Sequence, residues 1–459
     1  MTAAHGTRRG DFTVAAALLG LALVFGGGSP FAPVQRAIVE LAGVGALGWF
    51  FVRGWHAPTG RSVAASLILL ATVVLLVVVQ TIPLPPGVWR AMPGRGAVAD
   101  IVDAVGVPTL WLPLSVDPAA TREGGYFLIP PIAMFVATVH LDRDAQRRLL
   151  IMIVGAALVG AILVMIQAQG ALWLTLYDAP NPTKGKGIFA NKNHSAALLV
   201  VAIPLAATLG RGTRWIRKPG WQPGAAGVAI AVFAIAVFGC LSRAGLALLP
   251  IALLACIPLI GGAGPIRRHP LIALAVVLVL IVAVGSIARS SIAEETLERF
   301  GAAQEGRYQF WPDVLIAIRQ FLPWGSGFGT FVPVFRMIES LEAVAMTYTN
   351  HAHSDYLEIA LEAGVPGILL LAGFIGWFAA TAWVRLRSQS VAPDFGLLLA
   401  AATGIVLLLA ASIVDYPLRT LLLACVFAVL AAILASPVRA APRRLRRDGT
   451  TLANPANAE

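Results

Sequence analysis

Apolar blocks of roughly 18 to 22 residues recur along this chain, and that length is what a helix needs to cross about 30 Å of hydrocarbon. In lipid the backbone has to satisfy its own hydrogen bonds, so such blocks are read as helices. Alternating segments of about 10 residues, the pattern of a membrane barrel, are absent from the sequence. Of the 459 residues 58% are hydrophobic and 12% charged, whereas an ordinary soluble domain carries about a quarter charged residues. The spacing predicts an all-α polytopic membrane protein with about twelve transmembrane helices. They fall at 13–29, 36–52, 63–83, 123–140, 149–168, 194–210, 224–241, 244–261, 271–288, 366–384, 395–413 and 418–436. The first follows Arg8 and Arg9 and resembles a signal peptide, but no small-residue cleavage site follows it, so it is read as a span.

Basic residues set the expected orientation. If residues 1–12 are cytoplasmic, that segment, the inner loops and the tail at 437–459 together carry 20 of the 34 lysines and arginines, including Arg143, Arg147, Arg148, Arg385 and Arg387. Short loops with such a bias face the cytoplasm. The net charge of +11 is therefore mainly a topology signal, with attraction to anionic membrane lipid as a consequence. Nucleic acid is not an expected partner, because no basic domain stands apart from the spans. Cys240, Cys256 and Cys425 lie inside apolar blocks and read as small buried hydrophobes. The tail beyond Pro442 is polar and basic, the composition of a disordered segment.

Three stretches on the opposite side are long: 84–122, 169–193 and a large loop at 289–365, before the tenth span. The first reads as a cap over the spans. The second holds Lys184, Lys186 and Lys192 spaced by glycines, either a solvated connection or a cradle for an anion. In the third, Phe310, Val314, Leu315, Ile318 and Phe321 recur at helical spacing, with Gln309, Asp313 and Arg319 opposite. This predicts an amphipathic helix at the membrane surface, ending at Pro323. A second short helix is predicted from Ser354 to Ala363, stopped by Gly364 with Pro366 beyond it.

The chemistry-bearing residues fall in these stretches. His353 is the first candidate, because imidazole titrates near neutrality and accepts a proton from a hydroxyl; the alternative is a surface histidine capping the short helix. His351 and Asp355 complete an H-x-H-x-D string, a weak metal pattern with no further ligand cluster in view, so neither metal nor cofactor is expected. Arg243 opens a span and either snorkels to the interface or binds phosphate with its guanidinium fork. Asp415 pairs with Arg419 or orients a basic partner in the site. Lys184, Lys186, Lys192, His194, Arg243, Arg307, His353, Asp355 and Asp415 share the extracytoplasmic side by this topology. Cations beside a base at the outer edge of a helix bundle suit a lipid-linked pyrophosphate leaving group and an incoming hydroxyl.

His353-Ser354, nine residues, and Gly364-Val365-Pro366-Gly367 resemble the H-[N/S/Q]-x9-G-x-x-G signature of the O-antigen ligase and O-antigen polymerase superfamily. Gly306-Arg307, Trp311, Pro323, the glycines 325, 327 and 329, and Glu362 fit the same pattern. So do Gly187-Ile188-Phe189-x-Asn191-x-Asn193-His194 upstream and Asp415-Tyr416-Pro417-Leu418 downstream. The resemblance implies a metal-independent, inverting glycosyltransferase of the bacterial inner membrane, with both termini cytoplasmic and its site in the periplasm. The donor would be an undecaprenyl-pyrophosphate-linked glycan, and the acceptor a glycan, a lipid or a protein. His353 would activate the acceptor hydroxyl. Arg243, Arg307, Lys184, Lys186 and Lys192 would hold the pyrophosphate, with Asn193, His194, His351, Asp355 and Asp415 in support. The family's leucine four residues after the arginine is replaced by Ala247, flanked by Leu246 and Leu248. A transporter is the competing reading. It calls for charged residues and broken helices at mid-membrane depth, of which the spans show almost none.

Overall fold

The computed structural model describes residues 2–28, 32–54, 60–171, 173–177, 184–210, 222–260, 306–341, 349–388 and 394–437. It is helical nearly throughout: α1 (Thr2–Phe25), α2 (Pro33–Val52) and α3 (Arg61–Thr81) are followed by the cap. The cap comprises β1 (Pro83–Leu84), α4 (Pro86–Trp89), α5 (Gly96–Ala104) and β2 (Leu112–Pro113), with the two strands pairing antiparallel. Next come α6 (Pro118–Phe127), α7 (Ile129–His140), α8 (Arg143–Ala168), α9 (Lys192–Leu209), α10 (Gln222–Gly239) and α11 (Arg243–Ile260). After an undescribed stretch follow α12 (Gly306–Phe321), α13 (Phe331–Ile338), α14 (Asp355–Ser388), α15 (Phe395–Ala411), a 3₁₀ turn (Pro417–Arg419) and α16 (Leu421–Ala435).

Every predicted span among the described residues coincides with helix; the one at 271–288 lies outside them, as do Asn181 to Thr183 and the tail from 438. Among the described residues six helices are long and apolar enough to cross a membrane: α2, α3, α8, α9, α10 and α14. Shorter apolar helices α11, α15 and α16 accompany them, and the chain is a multi-pass membrane protein. The predicted span at 123–140 is divided at Leu128, because Pro130 and Pro131 suit only the first turn of a new helix. α7 alone is about 18 Å long at 1.5 Å per residue, short of a full crossing.

The core follows from which helices are apolar on all faces. α9 and α16 are buried over nearly their whole length. α9 packs against α8, α10, α11 and α15, while α16 packs against α1, α3, α7 and α15. A helix hydrophobic all round belongs inside a bundle, and these two form its centre. The three described cysteines are buried and free.

The two ends of the bundle differ. At one, Arg143 donates to the carbonyls of Ile433 and Ser436, Arg147 pairs with Asp394 at 3.0 Å, and Arg385 reaches the carbonyl of Ala435. At the other, loops and helix termini are joined backbone to backbone. Leu422 N donates to Gly26 O, Ala190 N to Gly27 O, and Asp355 N to the carbonyls of Ser412 and Asp415.

The glycine turn 325–329 and the stop at Gly364 are two halves of one junction. Ser326 N donates to Leu361 O, Gly327 N to Glu362 O and Val365 N to Pro323 O, all at 2.8–2.9 Å. Gly325 and Gly364 have φ of +82° and +55°. A β-carbon on Gly325 would meet the Glu362 carbonyl, and one on Gly364 the Pro323 carbonyl. Only glycine permits both the left-handed backbone and the close approach. The break at Gly364 divides α14 into a short outer helix, 355–363, and a long span. Gln80, at the end of α3, donates to Glu362 O and accepts from Phe328 N, tying the junction to the bundle.

α12 buries the predicted stripe Phe310, Val314, Ile318 and Phe321 against α13 and α14. Two predicted positions exchange sides. Leu315 is exposed, and Asp313 is buried, because its carboxylate accepts from the backbone N and the Oγ of Ser340 at 3.0 and 2.9 Å. In the cap, Asp117 accepts from Ala119 N and Ala120 N, and Pro118 opens α6.

Candidate functional site

The turn between α15 and α16, residues 412–420, passes beneath the segment 350–355 and against the first turn of α9. The three pieces meet at Asp415 and Tyr416. The Asp415 carboxylate spans two histidines: Oδ1 lies 3.5 Å from His353 Nδ1 and Oδ2 lies 3.6 Å from His194 Nε2. Both aspartate and His194 are buried, whereas His353 is half-buried. Of the two alternatives for Asp415, pairing with Arg419 or orienting a basic partner, the geometry matches the second: it faces the histidines, and Arg419 turns to the carboxylates of α14.

Three imidazoles surround the Tyr416 ring. His351 lies against it with centroids 4.2 Å apart, and His194 and His353 meet it edge-on at 4.9 and 5.0 Å. Its hydroxyl accepts from Asn191 at 3.4 Å. Burial, reinforced by Asp415, pushes this phenol above its ordinary pKa, so it stays a neutral donor. His194 Nδ1 pairs with the Thr420 hydroxyl at 2.7 Å, which fixes its ring orientation.

His353 adopts a left-handed backbone, φ +49°, rare for a residue with a side chain. That conformation points to an over-determined surrounding, and Phe310, Tyr416 and Asp415 supply it. Helix capping falls to its neighbour, with Leu357 N reaching Ser354 Oγ at 3.5 Å. The string His351, His353, Asp355 does not converge. His351 Nδ1 pairs with Glu358 at 2.8 Å, His353 faces Asp415, and Asp355 accepts from Ser412 Oγ and Leu418 N. Among the described residues no group of three such donors surrounds a common point.

Arg419 is the centre missed at the level of sequence. It lies 2.7 Å from Glu362, 3.4 Å from Glu358 and 3.9 Å from Asp355. Burial alone would weaken its protonation, but the three acids outweigh burial and raise its pKa. The signal was present: residues 355, 358 and 362 are spaced by three and four, one face of a helix.

The cationic candidates lie in the loop before α9 and at the starts of α9, α11 and α12. Lys184 is half-buried, and Lys186 is buried with its pKa lowered by burial. The backbone of this loop is pinned, with Gly187 N donating to Gln167 and Ser195 Oγ to Lys186 O. Gly185 packs on Gly239 and Cys240, immediately before Arg243 at the start of α11. Lys192 opens α9, and Asn193 N is capped by Asn191 at 2.9 Å. Arg307 belongs to the first turn of α12, with its side chain outside the described residues.

Two cavities adjoin the site. One, of about 280 Å³, is lined by Arg36, Phe328, His351, Glu358, Glu362 and Arg419. The other, of about 330 Å³, is almost wholly apolar and lies between α3, α7, α14 and α16.

Residues 228–372, about a third of the chain, match the family model described as O-antigen ligase. The match runs from α10 through the first part of α14 and includes Arg243, Arg307, His351, His353, Asp355, Glu358 and Glu362. No curated protein matches the chain.

Proposed function

We propose that this membrane protein, whose residues 228–372 match the O-antigen ligase family model, is a glycan transferase acting on the periplasmic face of the bacterial inner membrane. Its donor is an undecaprenyl-pyrophosphate-linked glycan, and its acceptor a hydroxyl of a glycan, lipid or protein. The observation that carries the reading is the His353–Asp415 pair, 3.5 Å apart at the end of the bundle opposite Arg143, Arg147 and Arg385. Asp415 holds the Nδ1 side of the imidazole, which leaves Nε2 to accept the proton of the acceptor hydroxyl. As that oxygen bonds to the anomeric carbon, the carbon–oxygen bond to pyrophosphate breaks and the configuration inverts. The leaving pyrophosphate gains charge, and the cationic side formed by Lys184, Lys186, Lys192 and Arg243 is suited to stabilise it, with Arg307 as a further candidate. Asn193, His194 and His351 support the first turn of α9 and the ring of Tyr416, and no step in this scheme calls for a metal.

Transfer from purified lipid-linked donor by His353→Ala tests the reading. The expected result is loss of transfer with normal insertion; retained transfer rejects His353 as the base. Solute uptake into proteoliposomes without any glycan transfer would replace the reading with transport. In a deletion strain, accumulated lipid-linked polymer indicates a ligase, and single repeat units without long chains indicate a polymerase.

A further inference from the structure

Among the described residues three imidazoles surround the ring of Tyr416, and two carboxylates face them. His351 has its own, since its Nδ1 pairs with Glu358 at 2.8 Å and that acid also accepts from Ala352 N. His194 and His353 share Asp415, one on each oxygen. The settings of these two differ. His353 is half-buried and open to a substrate. His194 is buried in the first turn of α9, and the rings of Phe189 and Tyr416 both meet it edge-on, at 6.1 and 4.9 Å.

Each ring nitrogen of His194 has a set partner. Nδ1 lies 2.7 Å from the Thr420 hydroxyl, a full hydrogen bond, and Nε2 faces Asp415 Oδ2 at 3.6 Å, the range of an ion pair. An ionised carboxylate offers acceptors alone, so it attracts an N–H and repels a bare nitrogen. The nitrogen facing Asp415 therefore carries a proton, and the Thr420 hydroxyl closes the other side of the ring. The position of Thr420 agrees with this use. It stands just before α16 as the N-cap residue, where a threonine hydroxyl ordinarily accepts from the first turn of the helix. Here it makes no such bond; the side chain is buried and turned to His194 instead.

We propose that His194, held by Thr420, is a positioning residue for the proposed base. Its Nε2–H engages Oδ2 of Asp415 and keeps Oδ1 turned to His353. That commits the proton of a neutral His353 to Nδ1 and leaves Nε2 bare, ready to accept. The chain Thr420, His194, Asp415, His353 ties the starts of α16 and α9 to the 350–355 segment, so the carboxylate is gripped at both oxygens. No bond is made or broken along the chain; it acts by orientation alone. The word base rests on the transferase reading, but the tautomer of His353 belongs to the resting protein and is measurable without transfer.

The experiment uses the full chain in nanodiscs with isotope-labelled histidine and reads by solid-state NMR which ring nitrogens carry protons. His353→Gln identifies the His353 signals by their loss. The native chain is expected to show His353 protonated on Nδ1 and bare on Nε2. His194→Phe keeps a ring but removes the donor, and Thr420→Val keeps the shape but removes the hydroxyl. Each is expected to move the His353 signals toward the Nε2-protonated form. Each is also expected to lower kcat about tenfold at unchanged donor KM, a smaller loss than replacement of Asp415 itself. His194→Gln, whose amide N–H reaches the place of Nε2, and Thr420→Ser are expected to restore the native signals. Native His353 signals in both His194→Phe and Thr420→Val overturn the proposal, and so does a native chain with His353 protonated on Nε2. Equal disturbance by the conservative and the disruptive variant at each position reduces the pair to packing and overturns it too. Should His194→Phe not fold, the two threonine variants decide. Retained transfer by His353→Ala, by contrast, would reject the base and leave these signals standing.

Discussion

At the scale of single residues, two buried charges carry separate tasks. Asp415 faces His194 and His353, so replacing it removes the group beside the proposed base while leaving that histidine in place. Asp415→Asn is expected to lower kcat by about a hundredfold, the usual worth of positioned acid–base chemistry, with donor KM little changed. Initial rates at saturating acceptor check this, and an unchanged kcat removes Asp415 from the mechanism. Arg419 faces no histidine and instead neutralises Asp355, Glu358 and Glu362. Arg419→Met removes the cation shared by three buried carboxylates, and breaking such a cluster costs about 3–5 kcal/mol. The expected outcome is a large fall in melting temperature in detergent; a variant melting within a degree of the native chain would contradict the assignment. The spacing 355, 358, 362 was legible in the sequence as one helical face. Its partner was not, because Arg419 lies 57 positions from Glu362 and only the packing of α14 against the 412–420 turn joins them.

At the scale of elements, the decisive feature is the junction of the turn 325–329 with the end of the short helix 355–363. The predicted glycine stop is present, and its reason goes beyond ending a helix. Gly364 lets the Pro323 carbonyl approach and accept from Val365 N at 2.8 Å. Gly364→Ala therefore meets both a steric collision and a left-handed φ of +55°. The expected result is a protein that inserts but shows raised proteolytic cleavage in 306–341 and reduced transfer; native resistance and rate would show the junction to be dispensable. α12 illustrates a limit of periodicity. Its apolar stripe was correct, yet Asp313 is buried and Leu315 exposed, because Ser340 satisfies the carboxylate from another part of the chain. Periodicity reports which face is mostly apolar; it does not report a hydrogen-bond partner brought in by the fold.

At the scale of the molecule, the chain separates an arginine-rich end from an end where the termini of α1, α9, α14, α15 and α16 are hydrogen-bonded together. This polarity, with the site at the second end, gives a topological prediction. Because all three native cysteines are buried, a cysteine introduced at Val107 in the exposed cap should react with an impermeant maleimide in intact spheroplasts. One introduced at Arg387 should react only after lysis. The reverse pattern would invert the orientation and put His353 in the cytoplasm. The sequence by itself determined the helical, membrane-embedded class and the ends of most helices, since these depend on local length, periodicity and residue type; it also supplied His353 as the proposed base. The tertiary structure alone decided which residues meet. It turned Asp415 to the histidines rather than to Arg419, gathered three carboxylates around Arg419 and enclosed the two cavities that adjoin the site. The physical reason is that pairing of charges and closure of cavities depend on distances between segments far apart in the chain, and a linear pattern of hydrophobicity carries no such distances.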